Sequence, residues 1–140
     1  MNIFTYGSLT FPEVMRKVVG RDFKADGAEL NGYARFRIKD ESYPGLIPFP
    51  DISTDGVVYF DVDDATVERL DRFEGDMYER VDVTVLTEDN GWVDAETYVL
   101  RPRARKRLSA EPWDEYEFGK HHLAEFMRTY AGFAAAQQSK

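Results

Sequence analysis

Turn signals divide the first hundred residues into short pieces, and this spacing is what most constrains the fold. Residues 23–49 contain Gly27, Asn31-Gly32 and Pro44-Gly45, and Asp89-Asn90-Gly91 follows further along. Asn-Gly and Pro-Gly pairs favour tight turns because glycine adopts backbone conformations that other residues avoid, while proline fixes its own φ. We therefore expect short strands joined by turns in the first region and a hairpin turn at the second.

The segments between these turns have strand patterns. Residues 2–6, 56–62 and 81–87 are rich in β-branched and aromatic residues, and residues 92–100 can return as a partner for 81–87. Many short strands with few helices are typical of an α+β domain built around a barrel-like sheet, and not of repeated βαβ units.

Three segments have helical patterns. Thr10-x-x-Glu13 matches a capping box, and with Pro12 in the first turn it predicts a short helix that ends at Gly20. Residues 64–74 predict a second helix, closed by Gly75. The third has apolar residues at helical spacing, namely Leu123, Phe126, Met127 and Tyr130.

Length and composition favour one domain. The chain has 140 residues, of which 43% are hydrophobic, and we expect a single domain over residues 1–133 followed by a disordered tail over residues 134–140. There is no cysteine, which excludes a disulfide framework, a thiolate metal site and a cysteine nucleophile. Neither a signal peptide nor a membrane span is recognisable, so we expect a cytoplasmic protein.

Charge also restricts the partners. The formal net charge of −8 disfavours nucleic acids and anionic membranes, so we expect neither as a partner. One basic cluster lies at residues 101–107. No aromatic residues interleave with its charges, which favours a solvated loop over an anion or partner site.

The helix predicted over residues 64–74 ends in a carboxylate on its inward side. Val67, Leu70 and Glu74 have the spacing i, i+3, i+7 and share one face. Burial would raise the pKa of Glu74 above its ordinary value of about 4.3, as general acid/base catalysis requires. The periodicity allows two interpretations: Glu74 faces a cavity, or the helix ends a turn earlier and Glu74 is a solvated cap.

Tyr6-Gly7-Ser8-Leu9 lies between the first strand and the first helix. Such a junction leaves backbone N–H groups unpaired, and these can hold an anion or a carboxylate. Glycine lets the backbone approach a ligand closely. Most strand–glycine–helix junctions bind nothing, so the pattern alone leaves the role of this turn open.

Together these two features resemble one known family. Tyr6-Gly7-Ser8-Leu9 resembles the Y-G-S-L signature of the gamma-glutamylcyclotransferase-like family, including its gamma-glutamylamine cyclotransferase branch. Leu70–Gly75, followed by Tyr78-x-Arg80, resembles its second motif. Looser likenesses lie at Tyr43–Leu46 and Ala95–Leu100, so that the resemblance covers residues 1 to about 100.

This resemblance implies a fold and a site. The fold is a small mixed β-barrel with short flanking helices and a cavity at one end. The catalytic acid/base is Glu74, and the substrate-binding residues are Tyr6, Gly7, Ser8, Leu9 and Tyr78. Backbone amides of residues 7–9 would bind a γ-glutamyl group. No metal and no organic cofactor is implied.

The implied reaction is cyclisation of a γ-glutamyl amide, in which the substrate's own α-amine attacks its γ-carbonyl to give 5-oxoproline and a free amine. Two alternatives stay open: a non-catalytic module that binds a γ-glutamyl or amino-acid-like ligand, and a hydrolase of a γ-glutamylated metabolite. The sequence does not fix the leaving amine, and it leaves open whether the protein is a monomer or a homodimer.

Overall fold

The computed structural model describes residues 1–138, and within them the chain forms six strands and five α-helices joined by loops and two short 3-10 helices. The elements follow in the order β1 (Ile3–Thr5), a 3-10 helix (Ser8–Thr10), α1 (Pro12–Val19), β2 (Ala25–Ile38), β3 (Pro44–Tyr59), α2 (Asp64–Glu74), β4 (Tyr78–Thr87), β5 (Gly91–Leu100), a second 3-10 helix (Pro102–Arg107), β6 (Leu108–Pro112), α3 (Glu115–His121), α4 (Leu123–Thr129) and α5 (Gly132–Ala136).

Five of the strands close into a mixed barrel. Neighbouring strands follow the order β3, β1, β5, β4, β2, and β2 pairs again with β3 to complete the circle. β1 runs parallel to β5, while the other pairs are antiparallel. β6 adds to β2 outside this ring. The α+β fold with a small mixed barrel and short flanking helices is confirmed.

The turns predicted at Gly27, Asn31-Gly32 and Pro44-Gly45 are wrong. Gly27 and Asn31-Gly32 lie within β2 and Pro44-Gly45 begins β3, because these two strands form one long hairpin. β2 runs without a break through residues 25–38, with a register shift between Asn31 and Tyr33, where Gly32 has a φ of 83°. An Asn-Gly pair supplies the positive φ that both a tight turn and a β-bulge use. The hairpin turn predicted at residues 89–91 is confirmed, since β4 and β5 pair across it.

The first helix begins later than its capping pattern predicted. Phe11 is the N-cap of α1 and Pro12 is its first residue, a position that suits the fixed φ of proline. Thr10 closes the preceding 3-10 helix instead, and its hydroxyl donates to the carbonyl oxygen of Gly7 at 2.7 Å. Gly20, with a φ of 79°, ends α1 as predicted.

Three short C-terminal helices pack where the sequence pattern predicted one. Each buries one phenylalanine in the same core, namely Phe118, Phe126 and Phe133. α5 packs against α2 and buries Ala136 completely, because small side chains allow a close approach. Residues 134–136 of the predicted tail therefore lie within α5. Residues 139–140 of the predicted tail lie outside the described part of the chain.

Two groups of buried apolar side chains hold the barrel and the helices together. Inside the barrel lie Phe4, Leu46, Val58 and Val85. Outside it, α1, α2 and the C-terminal helices pack around Val67, Leu70 and Phe73. Successive strand residues point to opposite faces, so β1 contributes Phe4 to the inner group and Ile3 to the outer one. Both sides of β1 are thus fixed where it delivers residues 6–9 to the barrel's end.

No helix within residues 1–138 is both long enough and apolar enough to cross a bilayer.

Candidate active site

The turn after β1 and the last residue of α2 meet at one cavity. All six predicted site residues line it: Tyr6, Gly7, Ser8, Leu9, Glu74 and Tyr78. Aromatic side chains complete the wall, namely Phe4, Tyr43, Phe73, Tyr98, Phe126 and Tyr130. The cavity has a volume of about 400 Å³ with its mouth included, and little of it is wider than a water molecule. Its lining combines apolar aromatic side chains with a few polar groups, as small-molecule sites do.

Glu74 contributes a carboxyl group to the lining of this cavity. α2 ends immediately after it, at Gly75, so the predicted helix length is confirmed and the solvated-cap interpretation is wrong. Among residues 1–138, no side chain or backbone group makes a hydrogen bond or an ion pair with its carboxyl group. Burial, and then the negative charge of Asp71, raises the pKa of Glu74 from 4.5 to about 8. The group can therefore exchange a proton near neutral pH.

The turn after β1 lines the same cavity and has backbone donors without a partner among the described residues. It is closed by bonds from the amide of Thr10 to the carbonyl of Gly7, at 3.0 Å, and from Phe11 to Ser8, at 3.1 Å. The amides of Gly7, Ser8 and Leu9 donate to no other group in the described chain. A Cβ on Gly7 would lie 2.9 Å from the ring of Pro44. Glycine is therefore required at this position by the close approach of Pro44.

Tyr98 on β5 links the turn to α2. The Tyr6 hydroxyl donates to the backbone carbonyl of Tyr98 at 2.6 Å, and the Tyr98 hydroxyl donates to the Asp71 carboxylate at 2.6 Å. Arg80 then pairs with Asp71 and with Glu96, each at 3.3 Å. Tyr98 is thus hydrogen-bonded both to the turn, through Tyr6, and to α2, through Asp71.

Tyr78 is buried, and its hydroxyl group makes a hydrogen bond to the protein backbone. Its hydroxyl donates to the backbone carbonyl of Pro44 at 2.7 Å, which holds Pro44 against Gly7. Burial raises the pKa values of Tyr6 and Tyr78 well above the usual range. Both phenols are therefore neutral at physiological pH, and they add no charge next to Glu74.

Sequence reasoning assigned no role to Asp71 or Tyr98, although both stand in segments that carry the family resemblance. The spacing of Asp71 and Glu74, i and i+3 on one helix, is a signal that would have paired the two carboxylates. No comparable signal identifies Tyr98, because its partners lie 27 and 92 positions away in the chain.

The basic segment at residues 101–107 packs on the loop that follows Glu74. Arg101 and Arg103 both donate to the backbone carbonyl of Asp76, at 3.1 and 2.9 Å. The segment forms a 3-10 helix with Ala104 buried, so part of it is anchored against the protein and not simply solvated as predicted.

Comparison with known proteins identifies relatives over most of the chain. The family model described as gamma-glutamyl cyclotransferase, AIG2-like, matches residues 3–117. AIG2-like protein A of Arabidopsis thaliana is 34% identical over 130 residues, which cover 92% of this chain and 78% of the relative. Protein AIG2 C of the same plant is 35% identical with the same coverage.

Solved structures agree with this assignment. A solution structure of an Arabidopsis thaliana protein has a TM-score of 0.71 and 34% identity, covering 95% of this chain and 81% of its own. A gamma-glutamyl cyclotransferase (TM-score 0.62, 18% identity, 75% and 73% covered) and a yeast one specific to glutathione (TM-score 0.59, 16% identity, 100% and 89% covered) share the fold. The chain belongs to the AIG2-like gamma-glutamyl cyclotransferase family.

Proposed function

We propose that this protein cyclises a γ-glutamyl amide, releasing 5-oxoproline and a free amine. The observation that carries the proposal is the unpaired carboxyl group of Glu74 in the same narrow cavity as the free amides of residues 7–9. Family membership supports the reaction class. Glu74 supplies a proton acceptor, and the backbone amides of residues 7–9, here called the cradle, supply donors for a carboxylate.

The cradle binds the half of the substrate that all γ-glutamyl amides share. The amides of Gly7, Ser8 and Leu9 donate to the α-carboxylate, as unpaired amides at the start of a helical turn do for anions. Tyr6 and Tyr78 pack against the aliphatic part of the γ-glutamyl chain. The substrate then folds so that its α-nitrogen approaches its own γ-carbonyl carbon, with Glu74 beside that nitrogen.

Glu74 moves the protons of the reaction. At neutral pH the α-amine is an ammonium ion without a free lone pair, and the Glu74 carboxylate takes a proton from it. The nitrogen attacks the γ-carbonyl carbon and closes a five-membered ring, and the bond to the leaving nitrogen breaks as Glu74 gives that nitrogen a proton. Over the whole reaction the ammonium nitrogen loses two protons and the leaving nitrogen gains two.

Two physical effects favour this route. The raised pKa of Glu74 makes its carboxylate a stronger base than an exposed glutamate, and so better matched to an ammonium ion. The attack is intramolecular, so holding the substrate folded supplies much of the acceleration. An amide of the turn other than that of Gly7 can also stabilise the negative charge that develops on the carbonyl oxygen.

The test is release of 5-oxoproline from a panel of γ-glutamyl amides by the wild type and by Glu74→Gln. We expect the substitution to keep the fold and to lower turnover by about 10²–10⁴-fold, the usual contribution of general acid/base catalysis. Glu68→Gln, on the exposed side of the same helix, is the matched control and should retain full activity. Unchanged turnover by Glu74→Gln would contradict the assignment.

The products also separate the alternatives. Free glutamate in place of 5-oxoproline would indicate hydrolysis. Binding without any product, across the whole panel, would indicate a non-catalytic binding module. The best substrate of the panel identifies the class of leaving amine.

A further inference from the structure

Arg35 on β2 contacts the turn from outside the cavity. Its Nη1 donates to the backbone carbonyl of Tyr6 at 2.7 Å and to that of Asp55 at 2.7 Å. The guanidinium group lies 5.1 Å from the centre of the Trp113 ring. Arg35 does not line the cavity that holds Glu74. Its contact with the site therefore passes through the backbone.

The Tyr6 carbonyl and the Gly7 N–H belong to the same peptide group. In a trans peptide these two groups point in opposite directions. A side chain that donates to the Tyr6 carbonyl therefore lies on the side of the peptide opposite to the Gly7 N–H. Amide resonance couples the two atoms, and a cation at the oxygen draws electron density from the nitrogen. Hydrogen bonds from charged donors are about twice as strong as neutral ones, and successive bonds polarise one another. Arg35 thus makes the Gly7 N–H a stronger donor.

The next peptide has a neutral counterpart of this contact. The carbonyl of Gly7 accepts from the Thr10 hydroxyl at 2.7 Å and from the Thr10 amide at 3.0 Å, behind the N–H of Ser8. In two successive peptide groups of the turn the carbonyl oxygen thus accepts a hydrogen bond from a side chain. Only in the first, Tyr6–Gly7, is that donor charged.

The position of Arg35 preserves that charge. Burial lowers the pKa of its guanidinium group, and the carboxylates of Glu115, Asp55 and Asp114 oppose that shift. Arginine stays protonated across the physiological range. The positive charge behind the turn is therefore present whenever a substrate binds.

We propose that Arg35 is a positioning residue, which fixes the Tyr6–Gly7 peptide and strengthens the Gly7 N–H as a donor to the α-carboxylate of a γ-glutamyl substrate. This inference rests on the proposed function for its ligand. It assigns part of the substrate affinity to a side chain that does not contact the substrate.

Two substitutions at this position test the inference in the full-length protein. Arg35→Met removes the donor and the charge but keeps an aliphatic chain against Trp113, whereas Arg35→Lys keeps the charge. We expect Arg35→Met to raise KM by about 10-fold or more with little change in kcat, because a carboxylate is held equally in the ground and transition states. Arg35→Lys should recover part of the loss.

Arg37→Met is the matched control. Arg37 lies two residues further along β2, and its guanidinium group donates to the carbonyl of Glu41 at 2.9 and 3.1 Å. It has the same kind of bond without contact to the turn. Any general effect of removing a half-buried arginine from β2 should appear equally in this variant. A KM in Arg35→Met equal to that of Arg37→Met, or a loss confined to kcat, would overturn the inference.

A second readout does not depend on activity. We expect the amide proton of Gly7, measured by ¹H–¹⁵N NMR, to move upfield in Arg35→Met, to move less in Arg35→Lys and to stay in place in Arg37→Met. An unchanged Gly7 amide in Arg35→Met would overturn the inference. A wild type that releases no 5-oxoproline would contradict the proposed function instead, and the Gly7 amide would still decide the role of Arg35.

Discussion

Two carboxylates lie one turn apart at the end of α2, and only one of them has close partners. Asp71 accepts a hydrogen bond from Tyr98 and pairs with Arg80. Glu74 has neither kind of partner among the residues that the structure describes, and it sits at the C-terminal end of a helix, where the helix dipole also disfavours a negative charge. These surroundings raise the pKa of Glu74 above its ordinary value.

The first residue-scale prediction concerns pH. Under the proposed function, kcat/KM depends on Glu74 as the carboxylate in the free protein, so we expect kcat/KM to rise as the pH increases through about 8. Asp71→Asn keeps an oxygen that can accept from Tyr98 but removes the negative charge that raises the pKa of Glu74. We expect the rise in kcat/KM to move to lower pH by about one pH unit. The pH–rate profile of 5-oxoproline release, compared between the wild type and Asp71→Asn, measures this shift.

Asp64→Asn is the control for that experiment, since Asp64 is exposed at the opposite end of the same helix. Phenols of Tyr6, Tyr43, Tyr78, Tyr98 and Tyr130 also interact with Glu74. Burial raises their pKa values, so they stay neutral and do not compete. A profile in Asp71→Asn that matches the wild type would contradict the role given to the Asp71 charge.

The helical spacing of Val67, Leu70 and Glu74 gave an inward Glu74 as one of two interpretations, and it did not identify the neighbours of Glu74. The pairing of Tyr98 with Asp71 depends on how β5 packs beside α2, which no local pattern encodes. Arg35 was missed for the same reason, since 29 positions separate it from Tyr6.

At the scale of elements, the proposed function requires the turn after β1 to act through its backbone, and this predicts opposite outcomes for two neighbouring residues. Gly7→Ala places a Cβ 2.9 Å from the ring of Pro44 and so displaces the amides. A shift of about 1 Å at a reacting site costs on the order of 10²-fold in rate, and we expect at least that loss. Ser8→Ala leaves the amides in place, and its rate should stay within about threefold of the wild type.

Both variants are compared by 5-oxoproline release at a temperature where circular dichroism shows them folded. A collapse of the rate in Ser8→Ala, comparable to that in Glu74→Gln, would argue for a serine nucleophile. Retained activity in Gly7→Ala would contradict the proposal that the amides of residues 7–9 bind the substrate's α-carboxylate.

Element boundaries were predicted well where one physical signal dominates. Gly20 and Gly75 end α1 and α2 as predicted, because a positive φ is open to glycine and costly to other residues. Asn31-Gly32 was misassigned because the same property serves a bulge as well as a turn. The Thr10 hydroxyl donates to the Gly7 carbonyl and does not cap α1, because Thr10 is the last residue of the 3-10 helix that precedes α1.

At the scale of the whole molecule, the site is assembled from distant parts of the chain. Its lining comes from the end of β1, from β3, α2, β4 and β5, and from the C-terminal helices. Hydrophobic periodicity predicted strands and helices, and family resemblance implied a barrel, but neither predicted the order in which its five strands pair. Local patterns do not specify which distant strands pair.

The unpaired carboxyl group of Glu74 should also make stability depend on pH. Because its pKa is about 8 in the folded state and 4.5 as a model value, its contribution to the free energy of unfolding is fully present below about pH 4.5 and falls as the pH rises to about 8. Each pH unit in that window is worth at most about 1.4 kcal/mol, and since the side chain is half-buried we expect a total loss of about 2 kcal/mol.

Glu74→Gln cannot ionise, so it should escape that loss. Urea unfolding of both proteins at pH 5 and pH 9 isolates the effect, because the other titrating groups are common to both and cancel in the difference. We expect nearly equal free energies of unfolding at pH 5 and a variant more stable by about 2 kcal/mol at pH 9. A difference that is the same at both pH values would mean that Glu74 titrates alike in the folded and unfolded chains. In that case the cavity would not raise its pKa, and the proton transfer proposed for it would lose its physical basis.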